Sequence, residues 1–513
     1  MEILYLGHAG FRVTNHRGKH LLIDPWLSPT GAFLNSWFQF PENHFLSEQI
    51  LPFSPDDGMV YISHHHRDHF DPDFLKRLDP STPLLVPRFV RKHFIQELKG
   101  LGFQNIHQLN HLDSLEWEGF KLTLFIDESY SNEDSGILVE TEGRRFLNMN
   151  DCRAYDGPEF DRLGQVDIMT IQFSGASWFP STYNYSEEQR NLLSQKKNRK
   201  KFANVLHLIQ RIQPKMYLPS AGPACFLDPE LFAFNLGDPP PFPDASEFIP
   251  QVRKLNIEAP YIFPGDRVVL PDDGPPCLES GGYFSPHLYE NKMAYLKDYA
   301  RRRANQARLP EGGKDWFPHL KKVLGDKAGA LRKPLPVSHK IIVSVVHRPG
   351  LPDSHVQVDL GVKEVKEVAD LPPPPFYHFT FTNRMLNAFF STGALWDELM
   401  LSLRFRVERD PDQFDTQIMD FMRLEVNDLY GYPRPRPCGR LTLSLENRCY
   451  EFDRYCPHQG ADLQQARIQN GILVCPRHGW RFDLEGGGVS EETRSSIHCI
   501  RIDSPNSSNG NNP

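Results

Sequence analysis

Met59-Val-Tyr-Ile-Ser-His-His-His-Arg-Asp-His69 is the stretch on which the reading of this chain turns. Met59–Ser63 is short and mostly apolar, the pattern of a buried strand, and it runs without a spacer into His64, His66, Asp68 and His69. Side chains alternate along an extended turn, so His64 and His66 are aimed to one side while Asp68 and His69 reach a neighbouring position. Imidazole and carboxylate at this spacing, fixed at a strand end, suit a metal better than a solvated histidine-rich loop would.

Outward from that stretch the pattern continues. Ile3–Leu6, Phe11–Val13 and His20–Ile23 are short apolar runs broken by Gly, Asn or Asp, a strand–turn–strand start that ends in Leu22-Ile-Asp24-Pro25-Trp26. Downstream, Pro72–Leu78 and Phe89–Leu101 read as helical, and Pro83–Val86, Phe120–Phe125, Gly136–Glu140, Arg145–Leu147 and Asp167–Gln172 as strands. Lys196–Ile212 reads as a very basic amphipathic helix leading into the strand Met216–Leu218. Strands first, then helices alternating with strands, predict a layered α/β domain over residues 1–270. Residues 271–335, rich in Pro, Gly and charge, read as a connecting segment with a helical piece near Tyr289–Gln306. Residues 336–430 predict a small α+β domain: strands at Ile341–Val346, His355–Leu360 and His378–Phe381, then helices at Arg384–Phe390 and Asp410–Val426. Tyr432-Pro-Arg-Pro-Arg-Pro437 is a linker, 438–503 a last domain, and 504–513 a Ser/Asn/Gly-rich tail expected to be disordered.

A chain of 513 residues agrees with several domains at roughly 100–200 residues each. A formal net charge of −8 argues against nucleic acid or an anionic membrane as partner. No apolar run approaches the roughly 18–20 residues that span a bilayer. The start Met1-Glu-Ile-Leu-Tyr lacks a basic, then apolar, secretory pattern, and the eight cysteines have no disulfide-framework spacing, so a cytoplasmic location is expected.

Cys456-Pro-His458 and Cys475-Pro-Arg-His478 carry the second chemistry. One Cys and one His from each of two short loops is the ligand set of a Rieske [2Fe–2S] cluster, two thiolates on one iron and two imidazoles on the other. A zinc site is the alternative, but zinc fingers pair Cys with Cys and His with His. Leu441–Leu445, Cys449–Phe452, Ile472–Val474 and Trp480–Leu484 read as the flanking strands of an all-β domain, with Gly460 and Gly479 just past each histidine. Respiratory Rieske proteins resemble this pattern but have a further cysteine in each loop, where this chain has Ala461 and Arg477. Trp480 stands where a hydroxyl donor is expected in the high-potential type. Fewer hydrogen bonds to the sulfurs lower the potential, which resembles the class that feeds a catalytic metal.

The strand-plus-HxHxDH arrangement at residues 64–69 resembles the metallo-β-lactamase fold. That resemblance implies a bridging aspartate at a later strand end, for which Asp151 in Arg145-Phe-Leu-Asn-Met-Asn-Asp151 is the candidate. It also implies two more histidines. One is missing from Glu128-Ser-Tyr130-Ser-Asn-Glu133-Asp134 and the other from Pro219-Ser-Ala-Gly-Pro-Ala-Cys225. Asp134 and Glu133 are weaker candidates for the metal, each read first as a loop surface acid; Asp24 reads as a brace beneath the metal, and His8 either as a lining or as a packing residue. Two histidines plus carboxylate with open positions suit O₂-activating iron, mono- or dinuclear, with zinc as the alternative.

A Rieske motif beside a histidine-poor lactamase motif resembles the CMP-N-acetylneuraminate hydroxylase family. The residues that carry this are Leu22–Trp26, Tyr61–His69, Leu147–Cys152, Gly175-Ala-Ser-Trp-Phe-Pro180, Ile212–Tyr217 with Ala221-Gly222, Leu395-Trp-Asp-Glu-Leu399 and Arg409-Asp-Pro-Asp412. The resemblance implies hydroxylation of a small polar, N-acyl or nucleotide-linked substrate with O₂, electrons coming from NAD(P)H through a reductase or small carrier. This chain departs from the family in placing its Rieske domain last, and in having Tyr130 where the family has histidine.

The expectation is therefore a Rieske-dependent oxygenase. The cluster sits on Cys456, His458, Cys475 and His478, and the iron on His64, His66, Asp68, His69 and Asp151, with Asp68, His69 and Asp151 catalytic. Ser174, Gly175, Ser177 and Tyr183 are substrate-contact candidates, and Lys196–Lys201 reads as a solvated helix face. The rival readings are a metal-dependent hydrolase with a redox-sensing Rieske domain and a non-enzymatic electron carrier.

Overall fold

Strand alternation builds the N-terminal layers. Ile3 and Tyr5, Leu21 and Ile23, Met59 and Tyr61 enter one apolar cluster, while Leu4 and Leu6, Leu22, Val60 and Ile62 enter another on the opposite face. These strands read as unbroken apolar runs because both of their faces are covered. The first cluster lies between two sheets. Phe11 of one meets Phe146 of the other edge-on, ring centroids 5.3 Å apart. The second lies under helices that contribute Phe74, Phe94 and Leu98.

In this computed structural model residues 1–127, 133–153, 155, 157–237, 240–432, 438–445, 448–458, 460–477, 479–490 and 495–502 are described. They divide into two units, one of Met1–Ile126, Glu133–Cys152 and Leu163–Pro433, the other dominated by the C-terminal residues. The sandwich of the first unit has an eight-stranded sheet in the order 277–279, 267–269, 2–7, 10–14, 20–23, 58–61, 84–87, 106–109. Its six-stranded partner has the order 216–218, 168–170, 144–148, 135–141, 120–126, 114–117. His20–Ile23 and Gly58–Tyr61 are parallel neighbours, as are Arg144–Asn148, Ile168–Thr170 and Met216–Leu218. Parallel neighbours end at the same edge, so Asp24 and His64 leave one edge of their sheet together, as Met149, Ile171 and Pro219 leave theirs.

A third sheet of the same unit has the order 364–368, 354–359, 340–346, 376–382, 405–410. Thr182–Asn184 extends its edge through Tyr183 against Val407. The sequence reads Asp410–Val426 as helical. The structure has the strand Phe405–Asp410 first and the helix Thr416–Arg423 after it, capped by Asp415. Residues read as connection contain the helix Phe317–Ala330, whose Leu320 and Leu324 are buried. The basic helix begins nine residues before the expected Lys196, at Glu187, because Ser186 caps it by accepting from the Gln189 N–H.

The second unit has two small antiparallel sheets, one of Arg440–Leu445, Arg448–Asp453 and Ile500–Ile502, the other of Arg467–Gln469, Ile472–Val474, Arg481–Asp483 and Val489–Ser490. The linker residues 433–437 and the tail 504–513 lie outside the described residues. Among the described residues no helix is long and apolar enough to cross a membrane.

Candidate metal centres

The 64–69 loop gathers hydrogen-bonded imidazoles and carboxylates whose remaining atoms could hold a cation. Asp24 is fully buried at φ 40°, and its Oδ1 accepts the Ser63 N–H at 2.7 Å. Its Oδ2 accepts from Ser63 Oγ at 2.6 Å and lies 2.7 Å from His69 Nδ1. His69 therefore carries its proton on Nδ1 and turns Nε2 inward, where that atom is buried with no hydrogen-bond partner among the described residues. Ser63 Oγ, already donating to Asp24, can only accept from His64 Nδ1 at 3.0 Å, which leaves His64 Nε2 bare. Burial opposes a charge on the His66 ring, but Asp397, whose Oδ2 lies 3.2 Å from His66 Nε2, raises its pKa together with Asp68 and Asp134. His64 Nε2 and His66 Nδ1 face each other at 2.9 Å, a distance that suits one shared proton or one shared cation.

The carboxylates repeat the demand. Asp68 Oδ1 and Asp151 Oδ1 are buried and unpartnered by hydrogen bonds among the described residues. His69 Nε2 lies 3.5 Å from Asp151 Oδ1 and 3.8 Å from Asp68 Oδ2. Burial works against a charged His69 ring, but Asp68, Asp151 and Asp24 outweigh it and hold its pKa well above the ordinary value. Burial likewise opposes ionisation of Asp151, yet the His69 ring holds that carboxyl far below the usual range. A proton on His69 and a bound cation are alternative ways to neutralise these carboxylates. Among the described residues four groups could hold a metal ion: His64, His66 and Asp134; His64, His69 and Asp151; His8, Asp68 and His69; His65, His66 and Asp397, each with its ligand atoms within 4.8 Å of one another. Donors of this kind fit a divalent ion, and a histidine ligand whose other nitrogen donates to a carboxylate is the usual supporting arrangement.

All five residues expected to hold the metal are brought together. Asp134, a weaker candidate from the sequence and read first as a surface acid, lies with its Oδ1 3.8 Å from His64 Nε2. Glu133 is buried between Arg91 at 2.8 Å and Arg423 at 3.1 Å, so it is not a surface acid either. Tyr130 lies outside the described residues.

Asp397 is the residue that sequence reasoning misses. It stands in the first turn of the helix Trp396–Leu401, with Glu398 beside it on Arg67 at 2.8 Å. Arg423 grips its carboxylate at 2.7 and 3.1 Å and, against the cost of burial, holds its pKa well below the ordinary value. The acidic pair in Leu395-Trp-Asp-Glu-Leu399 is visible in the sequence, but nothing local ties it to residue 66.

Of the substrate-contact candidates, Ser174 is buried and Ser177 Oγ accepts from Lys197 Nζ at 3.2 Å. Gly175 sits against Gln172, which leaves no room for a Cβ. Tyr183 stacks on Tyr185 at 5.5 Å, under Arg409 and beside the third sheet. Lys197 and Lys201 are not on a solvated face: they turn onto Phe179 O and Gln172 Oε1.

In the second unit the two ligand loops share one backbone frame. Cys456 N–H donates to Ala461 O and Gly460 N–H to Cys456 O; Cys475 N–H donates to Trp480 O and Gly479 N–H to Cys475 O, all at 2.8–2.9 Å. Gly460 and Gly479 take positive φ, 72° and 63°, which closes each loop over its cysteine. Both thiols are buried, and Trp480 stacks flat on the His458 ring at 4.3 Å. Buried thiols with an imidazole beside them fit the cluster. His478 lies outside the described residues.

Comparison with known proteins places a domain over each site. Residues 2–221 match a beta-lactamase superfamily domain and residues 440–501 a Rieske [2Fe-2S] domain. The chain thus carries an N-terminal metallo-β-lactamase-fold domain and a C-terminal domain for a [2Fe–2S] cluster. Among similar proteins, one of Mycolicibacterium smegmatis described as a Rieske 2Fe-2S iron–sulfur protein is 27% identical over 98% of this chain and 100% of its own length. The cytidine monophosphate-N-acetylneuraminic acid hydroxylase of Xenopus laevis is 23% identical over 83% of this chain and 72% of its own. Among solved structures, CmlA, a diiron beta-hydroxylase of Streptomyces venezuelae, aligns over 52% of this chain and 53% of its own, with 18% identity and a TM-score of 0.36.

Proposed function

We propose that the protein is a Rieske-dependent non-haem iron hydroxylase, with iron in the 64–69 site as the acceptor of electrons from the cluster. The observation that carries this is the donor set: Asp134 supplies oxygen on the His64–His66 side, where a zinc hydrolase of this fold has nitrogen. Two histidines and one carboxylate with open positions are the arrangement of non-haem Fe(II) oxygenases. Iron so held, supplied with single electrons, would activate O₂ to hydroxylate a C–H or N–H bond. Asp24 and Asp397 keep the protons on His69 Nδ1 and His66 Nε2, so the inward nitrogens stay available. The name of the Xenopus relative supports a small, polar, N-acyl or nucleotide-linked substrate, and NAD(P)H through a reductase or small carrier is the electron source that fits a cluster of this kind.

The test is oxygen uptake. Full-length protein loaded with ferrous iron, given NADH and a ferredoxin reductase, is expected to consume O₂ faster when a CMP-linked N-acyl sugar is added, with one hydroxyl gained by the sugar. Zinc in the 64–69 site of protein purified with an intact cluster, with hydrolysis and no O₂ uptake, would establish the hydrolase instead.

A further inference from the structure

We infer that His8 is a metal ligand, closing a second metal position with Asp68 and His69 so that the centre holds two ions. This rests on the reading above that the 64–69 site binds metal. His8 lies in the tight turn Gly7-His8-Ala9-Gly10, where Gly7 takes φ 101° and any Cβ would strike Asn43 at 2.8 Å. His8 itself is held at φ 51°, an uncommon conformation for a residue with a side chain. Its carbonyl accepts from Tyr5 Oη at 3.0 Å and from the Ala221 N–H at 2.8 Å. Trp26 and His69 stand edge-on to the ring at 5.3 and 5.5 Å, and the residue is 8% exposed. Between these rings the imidazole turns toward Asp68, and Nε2 lies 3.0 Å from Asp68 Oδ2.

Ala221 decides the interpretation. It belongs to the loop after Met216–Leu218, where the sequence lacks a histidine and runs Pro219-Ser-Ala-Gly222. That loop hydrogen-bonds the backbone of His8, so an imidazole from the first turn arrives beside the position for which the loop has no ligand. Asp68, His69 and His8 converge with all ligand atoms within 4.8 Å, and Asp68 Oδ1 is an orphan among the described residues. A separation of 3.0 Å between nitrogen and carboxylate oxygen suits two ligands on one ion as well as a hydrogen bond. The orphaned Asp68 Oδ1 and His69 Nε2 beside it favour the ion.

The experiment counts iron. Full-length protein is reconstituted anaerobically with ferrous iron alone, iron per chain is measured by plasma emission, and cluster iron is subtracted from the spin count of the reduced cluster. His8→Asn suits the left-handed backbone but is too short to ligate; His8→Gln keeps a hydrogen-bond donor for Asp68 without the imidazole. Both are expected to hold one iron fewer than wild type, with the cluster signal unchanged. Equal iron in wild type and either folded variant overturns the inference, because bracing of Asp68 alone would then account for His8. Wild type with no iron beyond its cluster overturns the metal reading of the site itself, a separate failure. The increase in thermal midpoint on adding ferrous iron is a second readout: it should shrink in both variants, and an undiminished increase also counts against ligation.

Discussion

His66 Nε2 lies 3.2 Å from Asp397 Oδ2, a contact between residues 331 positions apart. It joins the 64–69 loop to the helix Trp396–Leu401, far along the chain. Arg423 neutralises the other edge of the same carboxylate at 2.7 Å. Asp397→Asn should therefore leave the chain folded, since Arg423 keeps Glu133 at 3.1 Å. It should weaken metal binding by about 10–100-fold, the usual effect of losing an outer partner of a histidine ligand. Competition with a chelator checks this, and unchanged affinity would remove Asp397 from the site.

What can be read ahead of the structure follows from how local the signal is. His64, His66, Asp68 and His69 follow one strand directly, and Cys456-Pro-His458 and Cys475-Pro-Arg-His478 are each one short stretch of sequence, so spacing alone makes them candidates. Asp397 is not legible because its meaning depends on a partner in a different layer. The strand Phe405–Asp410 is legible, although the helical reading of Asp410–Val426 passes it by: Phe405 and Val407 are buried while Arg406 and Glu408 are exposed, a period of two. The helix Phe317–Ala330 is blurred by Pro318, Gly325 and Gly329, residues that usually mark connections.

Arg404 should be a large stability determinant of the first unit. Its guanidinium meets Asp228 at 2.8 Å, Ser36 Oγ at 3.0 Å, Asn35 O at 3.2 Å and Ala307 O at 2.9 Å, and the side chain is 2% exposed. Arg404→Met leaves the buried Asp228 carboxylate and two carbonyls without this donor. Breaking a buried pair from one side costs about 3–5 kcal/mol. Urea denaturation of the variant should show a loss of that order; a loss below about 1 kcal/mol, the worth of an exposed pair, would contradict the burial argument.

Lys327 predicts a pH dependence. Its ammonium is buried over the Trp396 ring at 3.7 Å and donates to Met422 O at 3.2 Å. Burial pushes its pKa down to about 7, against the attraction of Glu425 and Asp428. The folded chain then gives up this proton near pH 7, whereas the unfolded chain keeps it to the ordinary lysine value of 10.5. Between those values the unfolded state binds more protons, so this group makes stability rise with pH. Lys327→Met should remove that rise, most clearly between about pH 7 and 9. Parallel stability curves for wild type and variant over this range would show that the lysine stays charged in the fold.

The paired loops of the second unit allow a controlled comparison. Gly479 donates its N–H to Cys475 O at 2.9 Å while holding φ 63°, and Gly471 holds φ 75° in a turn where an added Cβ would meet nothing within 4 Å. An alanine at either position meets the same backbone penalty of about 1–2 kcal/mol for a left-handed residue. Only at Gly479 does the strain fall on the loop that fixes a cluster thiolate and, through Trp480, the ring stacked on His458. Gly479→Ala should therefore lower the yield of reduced-cluster EPR signal per chain, while Gly471→Ala should lower thermal stability by a similar amount and keep the signal. If both variants retain full cluster occupancy, the shared hydrogen-bond frame is not what positions the ligands. If both lose it equally, the cluster depends on the general stability of this unit and not on the local geometry of the Cys475 loop.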